Sequence, residues 1–216
     1  MKRLLWVLAF FLTMLLAGNA LTYLNFDPTY SFLRLKQAAI ATGWYLPAYY
    51  AHVLVGGVIL VAGLFQLHPK SNQKFKKTHR FLGYVYVMGI LFFAAPGGLV
   101  MSLFIQRGPW VLTSFLLQAS LWFAFTALAL NRIRKKDIAG HRRWMIRSYA
   151  LTFAAVTLRL YVLISSFHYS LNVPEAYATI AWLSWVPNLL IAELVIHQTI
   201  PASHRTHHPS HTHRTN

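Results

Sequence analysis

Residues 47–67 read PAYYAHVLVGGVILVAGLFQL, and no Lys, Arg, Asp or Glu interrupts them. The segment that follows, HPKSNQKFKKTHR, carries five Lys and Arg residues. A bilayer core of about 30 Å is crossed by roughly 20 mostly apolar residues in a helix. An uncharged run of that length that ends in a basic connection therefore predicts a membrane-spanning α-helix.

Five further stretches have the same length and character, so the sequence predicts six spans. They run approximately over residues 4–21, 47–67, 81–104, 110–130, 145–167 and 179–199. The composition agrees, since 56% of the 216 residues are hydrophobic, only 11% are charged and the mean hydropathy is +0.45. Soluble domains of this size rarely have such a composition. We therefore expect an all-α, polytopic helical bundle in which residues 1–200 form a single transmembrane domain.

The distribution of basic residues predicts the orientation of the bundle. Of 20 Lys and Arg residues, sixteen lie before the first span, after the last one or in two connections, 68–80 and 131–147. The opposite side carries three, Arg34, Lys36 and Arg107. The positive-inside rule then places both termini in the cytoplasm. A formal charge of +16 concentrated in this way indicates contact with anionic lipid headgroups rather than with nucleic acid.

Four local segments carry separate predictions. The first span is interpreted as an uncleaved anchor, although its basic start and Gly18-Asn19-Ala20 also resemble a cleavable secretory signal. Asp27-Pro28 predicts the N-cap of a short interfacial helix. Ala95-Pro96-Gly97-Gly98 predicts a kink in the third span. The His-rich tail, residues 201–216, is predicted to be disordered and cytoplasmic, with incidental affinity for metal ions.

Polar residues inside the predicted spans form a group of their own. At 1.5 Å per residue, five of them on five different helices lie in roughly the outer third to half of the bilayer. They are Asn19, His52, Gln118, Arg159 and Asn188. Asn and Gln often serve only as hydrogen-bond partners between helices. An intramembrane Arg among them favours an outer polar pocket instead.

Arg159 stands out in this group because its guanidinium stays charged inside the membrane. A ligand carboxylate, a haem propionate or a quinone oxygen would balance that charge. The structural alternative is that Arg159 bonds backbone carbonyls or extends to the outer surface. Glu193 is the one acid inside a predicted span, and it lies roughly 10 Å nearer the cytoplasmic side, which argues against a direct pair.

Histidines provide the candidate cofactor ligands. The chain has no cysteine, which excludes iron–sulfur clusters, thiolate-bound zinc and c-type haem attachment. Neutral imidazoles on facing helices suit the iron of a b-type haem. His79 and His141 form an inner candidate pair, and His52 and His168 are outer candidates. The inner pair is the stronger one, because His168 lies at the very end of its span.

The two inner histidines open similar segments, KKTHRFLGYVY at 76–86 and AGHRRWMIRSYA at 139–150. These segments look like a weak internal repeat at the mouths of two parallel helices. One interpretation is an interfacial belt that binds anionic headgroups, with Trp144 as an aromatic anchor. A belt explains the Lys and Arg residues, but it explains less well why both mouths carry His.

Together with His52, Trp122 and Thr157-Leu158-Arg159, these segments resemble a domain-of-unknown-function family of predicted bacterial multi-pass membrane proteins. The resemblance covers about residues 47–167 and rests on the motifs HR-x-x-G and HRRWM-x-R. The matching positions are His52, His79, Arg80, His141, Arg142, Trp144, Arg147 and Arg159, whereas His168 lies outside the pattern. The resemblance implies a bacterial inner-membrane protein and brings no reaction with it. Similarity to transmembrane b-type cytochromes is architectural only.

The leading hypothesis is a small redox membrane protein that binds haem b or a quinone within the second to fifth spans. His79 and His141 would act at the inner site, and His52 and Arg159 at the outer one. A transporter is the first alternative, with the Pro96-Gly97-Gly98 break and Arg159 lining a path for a small anion. The second is a non-catalytic assembly or lipid-binding partner.

Reporter fusions test the predicted orientation. A reporter that is active only outside the cytoplasm should stay inactive when it is fused after Thr199 or within residues 71–77. The same reporter should become active near Asn172. Activity at either of the first two sites would contradict the model with both termini inside.

Overall fold

The computed structural model describes residues 2–67, 75–168 and 174–199. Within these ranges the regular elements are helical, and no strand occurs among them. Six helical stretches are long and apolar enough to cross a membrane. This result confirms the all-α class and the six predicted spans. The His-rich tail lies outside the described residues.

The first, second, fourth and fifth spans are single helices, whereas the third and sixth each consist of two helices in series. The α-helices are α1 Lys2–Leu21, α2 Gln37–Ile40, α3 Tyr45–Leu67, α4 Lys76–Gly89, α5 Ala95–Ser102, α6 Pro109–Arg134, α7 Ile138–His168, α8 Pro174–Leu183 and α9 Val186–Thr199. The second span (α3) packs against the first, third and fifth spans. The fourth span (α6) packs against the third, fifth and sixth.

The two ends of the bundle differ in their residues. The basic end holds the starts of α4 and α7 and the end of α6, with the basic residues of 76–80 and 132–147. The aromatic end holds a cluster of Tyr23, Tyr45 and Tyr49 around the fully buried Leu33. Because successive spans run in opposite directions, the third and fifth spans both start at the basic end.

The fifth span begins at Ile138 rather than at the predicted Met145. Asp137 explains the earlier start, because its Oδ1 accepts a hydrogen bond of 2.7 Å from the N–H of Gly140, as an N-cap residue does. Arg132 lies 3.3 Å from the other carboxylate oxygen of Asp137. His141 and Trp144 consequently lie on a regular helix rather than in a connecting loop.

The third span is irregular, as the Ala95–Gly98 segment predicted, but the irregularity starts one turn earlier. Ile90–Ala94 forms a π-helical turn, in which the N–H of Ala95 bonds the carbonyl of Ile90. Pro96 has no N–H and cannot donate the hydrogen bond that an α-helix requires at this position. A π-helical turn is one way in which a helix accommodates the missing bond. The sixth span contains a break that the sequence analysis missed. It lies between Leu183 and Val186, just before Pro187.

The segment between the first two spans packs over the aromatic end. Two short 3-10 helices, Thr22–Asn25 and Ser31–Lys36, precede α2, so a short helix is present in the predicted segment; its position at a membrane interface stays a prediction. The predicted N-cap at Asp27 is wrong. Asp27 Oδ1 accepts hydrogen bonds from the Thr29 N–H and hydroxyl, which form a turn before the helix and lower the pKa of the Asp27 carboxyl. Burial, and then the nearby charge of Arg107, lower the pKa of Lys36.

Close packing at the centre of the bundle depends on Gly63 of the second span. A Cβ at this position would lie 2.7 Å from the ring of Tyr86 and would also collide with the ring of Tyr149. Both tyrosines are buried, with 0% and 6% of their surface exposed. Gly63 therefore provides the space into which one ring from the third span and one from the fifth span fit.

Replacement of Gly63 by Ala should destabilise the protein, because one methyl group overpacks this site. The expected loss is about 1–3 kcal/mol, the usual cost of overpacking a core, measured as thermal stability in detergent. Gly56→Ala on the same helix is the control, since a Cβ there meets nothing within 4 Å, and Ala is the better helix former. Similar stabilities for the two variants would contradict the proposed contact.

Candidate functional site

His79 and His141 lie in equivalent positions, each in the first turn of its helix at the basic end. The N–H of His79 donates a hydrogen bond of 2.8 Å to the carbonyl of Phe75, one turn earlier. The carbonyl of His79 accepts a hydrogen bond of 2.7 Å from Gln66 Nε2, which connects the second and third spans. Both histidines are partly buried, and they lie within electrostatic range of each other. The structure thus brings the two inner candidates to one end of the bundle.

The imidazole of His141 is oriented by the fourth span. Its Nδ1 lies 2.9 Å from the backbone carbonyl oxygen of Ala129. A carbonyl only accepts hydrogen bonds, so Nδ1 carries the proton and donates it. In the neutral ring, Nε2 then keeps its lone pair. Metal-binding histidines commonly have this arrangement, with one nitrogen bonded to a carbonyl and the other free to coordinate.

His52 has the same arrangement in the second span. Its Nδ1 lies 2.7 Å from the carbonyl oxygen of Ala94, in the π-turn of the third span, and therefore donates a proton. Gly98 leaves room for the ring, because a Cβ there would lie 2.9 Å from Nδ1. The ring also meets Trp122 edge to face, with centroids 6.2 Å apart. His52 thus anchors the second span to the irregular part of the third.

The other predicted members of the outer pocket do not share one environment. Arg159 is exposed on its helix, yet it lies within electrostatic range of His52 and of Tyr49. None of the carboxylates whose side chains are described forms a salt bridge with it. Asn19 is also exposed. Gln118 is partly buried, and its Oε1 has no hydrogen-bond partner in the described part of the chain.

Asn188 bonds the fifth span to the sixth. Its Nδ2 lies 3.0 Å from Thr157 Oγ1, 3.1 Å from the carbonyl of Ser184 and 3.3 Å from the carbonyl of Ala150. The Ser184 carbonyl lies at the break of the sixth span. These contacts match the structural interpretation of an intramembrane Asn as an interhelical hydrogen-bond partner.

Among the basic residues near the inner histidines, Arg147 is committed to an ion pair. Its Nε and one terminal nitrogen lie 2.6 and 2.7 Å from the two carboxylate oxygens of Glu193. The guanidinium also stacks on Trp144, 4.6 Å from the ring centroid. Arg80 and Arg142 remain exposed at the basic end. His168 ends α7, and its side chain lies outside the described part of the structure.

A buried group of hydroxyls that the sequence analysis did not identify lies between the third, fourth and fifth spans. Tyr86 OH lies 3.0 Å from Ser148 Oγ and 2.8 Å from Thr152 Oγ1. Thr126 Oγ1 lies 2.8 Å from Ser148 Oγ, and Trp122 Nε1 donates to Thr152 Oγ1 at 3.0 Å. We call these five residues the hydroxyl cluster. The four-residue spacing within each of the pairs 148/152 and 122/126 is a signal that could have revealed it.

Every hydroxyl of this cluster can donate one hydrogen bond in either of two directions. Thr126 can also donate to the carbonyl of Trp122 at 2.8 Å, and Thr152 to the carbonyl of Ser148 at 3.1 Å. The row Thr126, Ser148, Tyr86, Thr152 therefore ends at a backbone acceptor whichever way its protons point. It matters that every hydroxyl has a hydrogen-bond partner within the protein, because hydrocarbon offers no alternative partners.

The hydroxyl cluster also relates the inner histidines to each other. Tyr86 follows His79, and Ser148 follows His141, by seven residues, which is close to two helical turns. Each histidine therefore lies on the same helix face as its cluster residue, roughly 10 Å nearer the basic end. Tyr86 and Ser148 meet between the third and fifth spans, whereas the His141 ring is bonded to Ala129 of the fourth span.

A family model described as a predicted membrane protein (DUF2306) matches residues 49–196. The match includes all four helical spans that carry the motifs, and it extends through most of the sixth span, which contributes Asn188 and Glu193. Searches of the curated proteins and of the solved structures give no match. The family description names the membrane and no reaction.

Tyr86→Phe tests the hydroxyl cluster. Removal of the phenol oxygen leaves Ser148 and Thr152 with one partner fewer in a dry environment. We expect a loss of about 1 kcal/mol in stability, within the range for buried hydroxyls and interhelical hydrogen bonds in membranes. Tyr84→Phe is the matched control, because Tyr84 is 57% exposed on the same helix. If thermal unfolding in detergent shows equal effects, the cluster does not stabilise the bundle.

Proposed function

The chain belongs to the DUF2306 family of predicted membrane proteins, and from this premise we propose that it is a membrane redox protein with a haem b site at the basic end. His79 and His141 are the axial ligand candidates, on the third and fifth spans. Haem b would supply one-electron transfer at this position. A quinone held by the same imidazoles is the alternative ligand of the proposal.

The observation that carries the proposal is the hydrogen bond from His141 Nδ1 to the carbonyl of Ala129, at 2.9 Å. It fixes the tautomer in which Nε2 has a free lone pair, as iron coordination requires. The same bond limits rotation of the ring.

The separation of the two helices is a second support. No Cα atom of Lys76–Gly89 lies within 8 Å of a Cα atom of Ile138–His168. The helices meet instead through side chains, at Tyr86 and Ser148. Two imidazoles that share one iron need such a gap between their backbones, because the ligand and both rings must fit between them.

The kinds of residue present also suit haem better than a bare metal ion. In the described residues, no three His, Asp or Glu side chains come together as a metal-binding group. Haem iron needs only two axial protein ligands. Arg80 and Arg142, which are exposed at this end, could pair with its propionates, whereas Arg147 is already held by Glu193.

The transporter hypothesis receives less support from the packing of the third span. A Cβ on Gly97 would lie 2.6 Å from the carbonyl oxygen of Ala48 and 3.1 Å from the backbone nitrogen of His52. The second span therefore occupies the space beside the Pro96-Gly97-Gly98 segment, and the segment forms a close helix contact. His52 and Arg159 remain the candidates for an outer site that would exchange electrons or bind a quinone.

Absorption spectroscopy tests the haem proposal. Protein purified from haem-replete cells should show a Soret band that shifts when dithionite is added. His79→Ala and His141→Ala should each lose most of the bound haem, because a single axial ligand holds the iron less firmly. Retention of the band in both variants would reject these ligands, and its absence from the wild type would reject haem.

His197→Ala is the matched control, because His197 is an exposed histidine in the last turn of the sixth span. This variant should keep wild-type haem content. Thermal unfolding of each variant in detergent separates lost coordination from misfolding. His52→Ala tells whether an outer site contributes, because any haem held there would disappear independently of the inner pair.

A further inference from the structure

An open cavity of about 410 Å³ lies beside the start of the third span, and it shares Arg80 with the haem site proposed above. It is lined by three cations and two aromatic rings: Lys76, Lys77, Arg80, Phe81 and Tyr84. All five side chains are exposed. Its volume falls in the range of roughly 300–1,000 Å³ that is usual for small-molecule sites.

The order of these residues along α4 separates charge from apolar surface. Lys76, Arg80 and Tyr84 are spaced by four residues and share one face of the helix. The cations lie nearest the helix start, and Phe81 and Tyr84 lie one to two turns further into the span. Phe81 is 66% exposed and Tyr84 is 57% exposed, on the surface that faces lipid in a membrane.

The three cations do not serve the stability of the helix itself. The first turn of α4 contains no acidic residue, and positive charges at this end oppose the helix dipole. Their grouping is consistent instead with an external anion. Aromatic rings just beyond them match the level at which headgroups give way to acyl chains.

We propose that this cavity is a specific binding site for one anionic phospholipid. The phosphodiester meets Lys76, Lys77 and Arg80, and an acyl chain lies along Phe81 and Tyr84. Charge complementarity selects an anionic headgroup, and the exposed rings select an amphiphile over a soluble anion. None of the five residues is an axial ligand candidate, and Arg80 alone is shared with the haem proposal, where it would pair with a propionate. Lys76, Lys77, Phe81 and Tyr84 have no part in that proposal, so loss of lipid binding and loss of haem are separate outcomes.

Native mass spectrometry of the full chain in detergent, titrated with phosphatidylglycerol, tests the site. The wild type should retain one phosphatidylglycerol more tightly than phosphatidylcholine. The variant K76Q/K77Q/R80Q should bind it at least tenfold more weakly. The control R134Q/K135Q/K136Q removes the same charge from another exposed part of the basic end and should change the affinity less than twofold.

Equal weakening in both triple variants would overturn the proposal, because it would show only general attraction to a basic surface. Phe81→Ala combined with Tyr84→Ala should also weaken phosphatidylglycerol binding, and an unchanged affinity would contradict the acyl-chain contact. Competition with millimolar sn-glycerol 3-phosphate distinguishes the ligand source. Displacement of the lipid would assign the cavity to a soluble phosphate and reject the lipid site.

Discussion

The hydrogen bonds of the Tyr86 hydroxyl are the interactions on which the rest of the bundle depends. The Cα atoms of α4 and α7 stay more than 8 Å apart, and the buried Tyr86 side chain reaches across the gap to Ser148 and Thr152. Gly63 of the second span leaves room for the ring. Inside a membrane, a phenol without partners would cost free energy, so these hydroxyls determine how the third and fifth spans meet.

This spacing has a direct consequence for the basic end. His79 and His141 each lie about two turns before a residue of the hydroxyl cluster, on the two helices that the Tyr86–Ser148 contact joins. The carbonyl of Ala129 then selects the tautomer of His141. At the other end, His52 bonds Ala94 in the π-turn. His141 and His52 are thus oriented in the same way, because each ring donates its N–H to a backbone carbonyl of a neighbouring helix.

The sequence was sufficient for the six spans and for the irregular third span, because hydrophobic length and Pro-Gly content act locally. It failed where a partner is distant in sequence. The role of Arg147 depends on Glu193, which lies 46 residues away. The start of α7 is a different case, because its cap at Asp137 is local but precedes a basic stretch that hydrophobic length alone does not include in the span. The hydroxyl cluster needs four residue types to converge from three helices. For Asn188, depth in the membrane suggested a pocket, whereas its actual bonds connect two helices.

We propose that His79 and His141 face each other across the gap between the third and fifth spans. The chain has no cysteine, so His79→Cys combined with His141→Cys introduces the only two thiols. A bismaleimide that spans about 10 Å, the scale of neighbouring helix axes, should join them within one chain in native membranes. The pair His79→Cys and His197→Cys should react far less. Efficient cross-linking of the control pair, with none between positions 79 and 141, would contradict the account.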